Sequence, residues 1–179
     1  MLPTRSVIFF VIVILLLQPI LAQTPVSGIK QIESAIDSNK IPEAEKMIAN
    51  DLDILLAQGL IDSSLNYLPL LGEVANKQNG EEGAISSVYA FIHKLEKNKA
   101  SALQLTEAYN GAASFFESIY RLNASFNAME KALEYAYKII PKDISKIGTC
   151  KYNLGKFAYS LGRIGDSEKF HREALGLHL

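Results

Sequence analysis

The stretch from Tyr152 to Leu175 reads YNLGKFAYSLGRIGDSEKFHREAL and decides the fold class. Apolar and small residues recur in it at spacings of three and four, which is the period of an amphipathic helix. The polar segment GRIGD, from Gly162 to Asp166, interrupts this pattern near its middle. The stretch therefore predicts two helices joined by a short turn.

Particular positions in this stretch follow a known consensus. They are Leu154-Gly155, Ala158, Gly162, Ile164, Ser167, His171 and Ala174-Leu175. In this combination and order they strongly resemble one tetratricopeptide repeat. The resemblance implies an all-α solenoid of antiparallel helix hairpins, in which each hairpin packs on the next.

The same pattern can be followed towards the N-terminus. Ala132-Leu133 repeats the closing pair Ala174-Leu175 at a distance of 42 residues, and small residues recur at Ala44, Ala84, Ser125 and Ser167. Small side chains at such positions allow neighbouring helices to approach closely. A period near 42 resembles the longer repeats of kinesin light chains and of many bacterial tetratricopeptide proteins. The match is good from about Ser101 onwards and weak before it.

Apolar periodicity broken by short polar segments predicts eight helices. Their expected limits are Ile29 to Ser38, Pro42 to Gln58, Ser63 to Lys77, Glu81 to Lys97, Ala102 to Tyr120, Ala124 to Ile140, Ser145 to Leu161 and Gly165 to Leu177. Local signals support several ends: Pro42 suits a first turn, Gly59 a C-cap, and Ser63 and Ser101 N-caps. We expect one repeat domain over residues 23–179, with four units near 28–58, 60–98, 101–140 and 143–179.

The first residues have the order of a secretory signal peptide. Arg5 precedes an apolar run from Val7 to Leu17, and a small residue follows at Ala22. This order predicts cleavage after Ala22, so that residues 1–22 are removed and the protein is periplasmic or secreted. The alternative is a membrane anchor formed by residues 7–22, although Gln18 and Pro19 interrupt the run before the roughly 20 apolar residues that a span needs.

Composition narrows the functional classes. The net charge is −1 and there is no long run of charges of either sign, which argues against a nucleic-acid-binding surface. Once the signal peptide has been cleaved, we expect no contact with the membrane. Cys150 is the sole cysteine, so no internal disulfide can form, and we expect it to be a small core residue.

No motif for catalysis, cofactor binding or metal binding emerges from the sequence. There is no Gly-rich phosphate loop, no G-x-S-x-G, no H-E-x-x-H and no paired-cysteine motif. His171 and His178 could share a helix face as metal ligands, and Cys150 with His171 could form a thiol–imidazole pair, but structural roles are expected for all three. The aromatic clusters Phe115-Phe116-Tyr120 and Tyr135-Tyr137 are expected to be core rather than stacking platforms. We therefore expect no enzyme and no cofactor.

The family resemblance implies that the first helix of each hairpin lines a groove for a protein or peptide partner. The residues expected to face this partner are Asn110, Ser114, Glu117, Tyr152, Lys156 and Tyr159. The sequence stops just after Ala174-Leu175 without a polar capping helix. This predicts either an interface for a partner, including self-association through the last repeat, or the N-terminal sensory or scaffold part of a larger exported enzyme of the peptidase or signalling-kinase kind. A reading frame that continues past Leu179 into catalytic motifs would support the larger enzyme.

Overall fold

A computed structural model describes residues 28–177 of the chain. Within this range all regular structure is helical, and no strand is present. The helices are α1 Gly28–Asp37, α2 Ile41–Ala57, α3 Ile61–Leu65, α4 Leu68–Lys97, α5 Ala102–Ser118, α6 Leu122–Ala136, α7 Ile144–Ser160 and α8 Ile164–Leu175. Helices that follow one another along the chain pack together, so the predicted all-α solenoid is confirmed.

Backbone chemistry at the helix ends explains the short turns. Gly59 follows α2 with a φ of 70°, a conformation that glycine adopts without steric cost and that suits it to end a helix, as predicted. Ser101 caps α5: its hydroxyl accepts from the Gln104 amide, and the Gln104 side chain accepts from the Ser101 amide. This reciprocal arrangement satisfies two backbone donors that the helix itself leaves free.

The predicted helix from Ser63 to Lys77 is wrong at its start. The short helix α3 already begins at Ile61, and α4 begins at Leu68 with Pro69 in its first turn. Ser63 does not cap a helix in the structure. The buried hydroxyl of the neighbouring Ser64 instead donates to the Ile61 carbonyl oxygen over 2.7 Å. Such local side-chain bonds compete with helix continuation, whereas proline fits a helix start because no amide hydrogen is needed there.

The predicted break near Gly80 lies inside α4. Gly80 has a φ of 69° and a ψ of −174°, which separates helical segments 68–79 and 81–97. A Cβ on Gly83 would lie 3.6 Å from the Ala75 carbonyl oxygen. In a straight helix, residues 75 and 83 would lie about 12 Å apart along the axis. Because they are in contact, the chain must reverse at Gly80, and the two segments form a hairpin.

The recurring small residues lie inside the helix contacts, as predicted. Ala44, Ala84 and Ser125 are fully buried and Ser167 is 5% exposed. They surround a continuous core whose largest fully buried side chains include Phe116 and Phe157. Small residues at these points allow the larger side chains of neighbouring helices to interlock.

The signal peptide predicted at residues 1–22, its alternative as an anchor, and His178 lie outside the described residues. Among residues 28–177, no helix is both long enough and apolar enough to cross a membrane.

Candidate functional site

Helices α5 and α7 lie side by side and are linked by pairs of polar side chains, which we call the polar ladder. Lys146 donates to Glu107 at one end, and the Lys156 Nζ lies 2.9 Å from a Glu117 carboxylate oxygen at the other. Both helices run in the same direction, because the residue numbers of the pairs increase together. Between these ion pairs, Asn153 Nδ2 donates to Asn110 Oδ1 over 3.4 Å.

The start of α7 is fixed by its own cap. The Asp143 carboxylate accepts from the Lys146 amide over 3.0 Å, which holds the first turn of the helix in place. The Lys146 side chain then reaches Glu107, and this hydrogen bond raises the pKa of Lys146. The ammonium is therefore charged across the physiological range, and the pair contributes no net charge to the surface.

Next to the ladder, α7 exposes two large aromatic side chains. Tyr152 and Tyr159 are 57% and 67% exposed. With Lys156 between them, they lie at helical spacings of four and three residues on one side of the helix. The ring of Tyr152 also packs edge-on against His171 of α8, with ring centroids 5.4 Å apart.

The six residues predicted to face a partner therefore lie on two adjacent helices. Asn110, Glu117 and Lys156 take part in the polar ladder, whereas Tyr152 and Tyr159 are exposed beside it. Ser114 is exposed on α5 and donates to the Asn110 carbonyl oxygen, within its own helix. We call these six residues the recognition face.

The residues expected to face a partner did not include Glu107, Lys146 or Asn153, the other members of the ladder. A signal for the first two is present in the sequence. A glutamate is followed by a lysine 39 positions later in both ion pairs, just below the repeat period. Opposite charges recurring at nearly one repeat length predict an ion pair between equivalent faces of neighbouring units.

A second polar cluster ties three helices together. The Glu96 carboxylate accepts from the hydroxyls of Tyr109 and Tyr135 over 3.3 and 2.9 Å. The two rings stack with centroids 5.6 Å apart. Burial, followed by the hydrogen bond to Glu96, raises the pKa of Tyr135 to about 12, and burial also raises that of Tyr109. The cluster connects the end of α4 to α5 and α6.

The aromatic clusters noted in the sequence are divided between core and surface. Phe116 is fully buried and Phe115 partly so, with their rings 5.9 Å apart, while Tyr120 and Tyr137 are exposed. The core interpretation is correct for the two phenylalanines and wrong for Tyr120 and Tyr137, because these two follow the last residues of α5 and α6 and project from the turns.

The remaining chemical candidates have structural surroundings. Cys150 is 3% exposed, and burial raises the pKa of its thiol to about 11, so it is held as a neutral core side chain. The His171 ring lies over Gly155, and its Nδ1 is 3.3 Å from the Ser167 hydroxyl. Between residues 28 and 177 no three histidine, cysteine or acidic side chains come together as metal ligands.

No protein-family model matches the sequence. No curated protein matches it significantly. The fold is similar to that in the crystal structure of BtubC (BKLC) from P. vanneervenii, with a TM-score of 0.54 and 16% sequence identity. The alignment covers 83% of this chain and 60% of that chain, so this chain spans less than two thirds of the length of that protein. At this identity, the similarity shows a shared helical fold alone.

Proposed function

We propose that this chain is a protein-interaction module built from tetratricopeptide-like repeats, and that its recognition face binds an extended peptide or a helix. The proposal depends chiefly on one observation: Tyr152 and Tyr159 are both more than half exposed on one side of α7, beside the polar ladder. Tyrosine is enriched at protein interfaces because it combines a large apolar ring with a hydroxyl.

The charges of the polar ladder indicate what kind of segment the recognition face fits. Glu107 and Glu117 are each paired with a lysine of α7, so the ladder has no excess charge of either sign. A strongly acidic or basic peptide would gain little there. We infer a partner segment that is close to neutral, packs apolar side chains on the two tyrosines and forms hydrogen bonds with the ladder.

The experiment is affinity capture from the native envelope fraction with residues 23–179 as bait. We expect a defined partner to be retained by the unchanged chain and lost from the variant Tyr152→Ser/Lys156→Ser/Tyr159→Ser. The matched control is Tyr120→Ser/Lys131→Ser/Tyr137→Ser, which removes the same residue types from exposed positions outside the recognition face. Far-ultraviolet circular dichroism would verify that both variants remain helical. Capture that survives the first variant, or is lost equally with the control, would exclude this face.

We also propose that the module acts outside the cytoplasm after removal of residues 1–22. The support is the order of basic, apolar and small residues at the start of the sequence. Expression of the whole chain in its native host, followed by N-terminal sequencing of the exported protein, should give Gln23 as the first residue. An intact N-terminus retained in the membrane fraction would instead support the anchor formed by residues 7–22.

A further inference from the structure

Asparagine is followed directly by glycine at two places in the chain, Asn79-Gly80 and Asn110-Gly111. This dipeptide readily loses the side-chain amide, because glycine has no side chain to keep its backbone nitrogen away from the asparagine carboxamide. The reaction also needs a backbone that can bring these two groups together. The two pairs share the same local chemistry, and the structure around each decides whether it reacts.

Asn79-Gly80 lies where the α4 hairpin reverses. Asn79 is the last residue of the helical segment 68–79, and both residues of the pair are exposed. Gly80 has a φ of 69° and a ψ of −174°, and a Cβ built on it would meet no atom within 4 Å. Cyclisation needs rotation about ψ of Asn79. At the end of a helical segment this rotation changes only the turn, because the following glycine can take up the compensating rotation.

The two arms beside this turn are held by neighbouring helices. Gln78 Nε2 donates to a carboxylate oxygen of Glu45 in α2 over 2.8 Å. Arg121, just before α6, donates to Glu82 at the start of the second segment. These contacts hold the arms in place while the turn is exposed to water, so the turn can open without unfolding of either arm.

Asn110-Gly111 has the opposite setting. Both residues lie in the interior of α5, and Asn110 Oδ1 accepts from Asn153 Nδ2 over 3.4 Å. Rotation about ψ of Asn110 would break α5 near its centre. In the interior of a helix the amide hydrogen of Gly111 is also engaged by a carbonyl oxygen one turn earlier. The helix therefore keeps the reacting groups of this second pair apart.

We propose that Asn79 is a site of spontaneous deamidation in the folded protein and that Asn110 is protected. The backbone nitrogen of Gly80 attacks Cγ of Asn79, the Cγ–Nδ2 bond breaks, and the proton of the attacking nitrogen leaves with Nδ2 as ammonia. Water then opens the succinimide ring: its oxygen bonds to one of the two carbonyl carbons, and a proton returns to the ring nitrogen. One opening gives aspartate, and the other gives isoaspartate, in which the main chain runs through Cβ of residue 79.

The isoaspartyl product would change the packing of the turn. A Cβ on Gly83 would come within 2.3 Å of the Asn79 Cβ, so the Asn79 side chain lies against the backbone of the second segment. Isoaspartate places this Cβ in the main chain and lengthens the turn by one atom. The contact with Gly83 cannot then be kept without moving one arm of the hairpin, and the fold is destabilised.

The test is incubation of the purified chain at mildly alkaline pH, followed by tryptic digestion and mass spectrometry. Trypsin separates the two sites, because Asn79 falls in the peptide 78–94 and Asn110 in the peptide 100–121. Deamidation raises the mass of a peptide by about 1 Da. In the folded chain we expect the first peptide to deamidate roughly tenfold faster or more than the second. In guanidinium chloride the two rates should become similar.

The matched variant for the product is Asn79→Asp, which has the new carboxylate on an unchanged main chain. Anion exchange separates the deamidated protein by its added negative charge. We expect this fraction to unfold at a lower urea concentration than Asn79→Asp. Residue 79 lies outside the recognition face, so none of these measurements depends on partner binding.

Four results would overturn the proposal. They are no deamidation of the peptide 78–94 in the folded chain, equal rates at the two sites in the folded chain, a difference in rate that persists unchanged in guanidinium chloride, and equal urea midpoints for the deamidated fraction and Asn79→Asp. The third result would assign the difference to the flanking sequence rather than to the fold.

Discussion

Phe115 of α5 lies directly over Gly72 of α4. A Cβ on Gly72 would come within 2.5 Å of two atoms of the phenylalanine ring, which is closer than carbon atoms approach in folded proteins. Gly72 is itself buried, and Phe115 packs against the fully buried Phe116. The absence of a side chain at position 72 therefore sets how closely α5 approaches the preceding hairpin.

We expect Gly72→Ala to destabilise the protein by about 1–3 kcal/mol, because displacing the ring of Phe115 outweighs the gain in helix propensity. The matched control is Gly111→Ala. A Cβ there would meet Leu68 at 3.8 Å, an ordinary van der Waals contact. This substitution should stabilise α5 by about 0.5–1 kcal/mol. Urea unfolding of both variants checks the prediction, and stabilisation by Gly72→Ala would contradict it.

The buried alanines of the repeat allow a second comparison within one helix. Ala84 is fully buried and Ala90 is exposed, and both lie in the second segment of α4. Ala84→Leu should cost about 1–3 kcal/mol through overpacking. Ala90→Leu should stay within about 0.5 kcal/mol of the unchanged chain. Equal thermal midpoints for the two variants would show that Ala84 is not a point of close helix contact.

The polar ladder should make a modest, salt-dependent contribution. Glu117 and Lys156 are partly exposed, so a double-mutant cycle of Glu117→Gln and Lys156→Gln should give a coupling energy of about 0.2–1 kcal/mol. Added salt should reduce this coupling. A coupling energy of zero at low ionic strength would show that the Glu117 and Lys156 side chains do not stabilise the fold by interacting with each other.

The tyrosines around Glu96 predict a loss of stability in alkaline solution. The folded pKa of Tyr135 is raised from 10.0 to about 12, so the folded state holds its proton more tightly than the unfolded state does. This stabilisation is complete below pH 10 and is lost as the pH rises through about 12.

Urea midpoints measured at about pH 9 and about pH 11 should therefore fall with pH in the unchanged chain and fall less in Tyr135→Phe. Tyr137→Phe, at an exposed position two residues further along, is the control. An identical decrease in all three proteins would contradict the prediction.

Cys150 should be unreactive in the folded protein. Its thiol is buried, and its pKa is raised to about 11, so both access and thiolate formation are suppressed near neutral pH. A chromogenic disulfide reagent should modify the thiol rapidly in urea. In buffer it should react only as fast as the fold opens to expose the thiol. Rapid modification of the folded chain, with helicity retained, would contradict this assignment.

Most of the fold could be predicted from the sequence because its determinants are local or periodic. The spacing of apolar residues indicates where the helices lie, and Gly59 and Ser101 mark two of their ends. The recurrence of small residues indicates where neighbouring helices approach closely. The start of α4 was missed because Ser63 resembles a cap, whereas in the structure the buried Ser64 bonds within the short helix α3. That choice depends on burial, which a local motif does not encode.

The six residues of the recognition face were predicted from the family resemblance, and their partner remains a prediction. Only the tertiary structure shows that Asn110 meets Asn153 and that Phe115 covers Gly72. Helix periodicity fixes the face on which a side chain lies. Which side chains meet across two helices also depends on their separation and axial offset, which are set by packing over the whole stack.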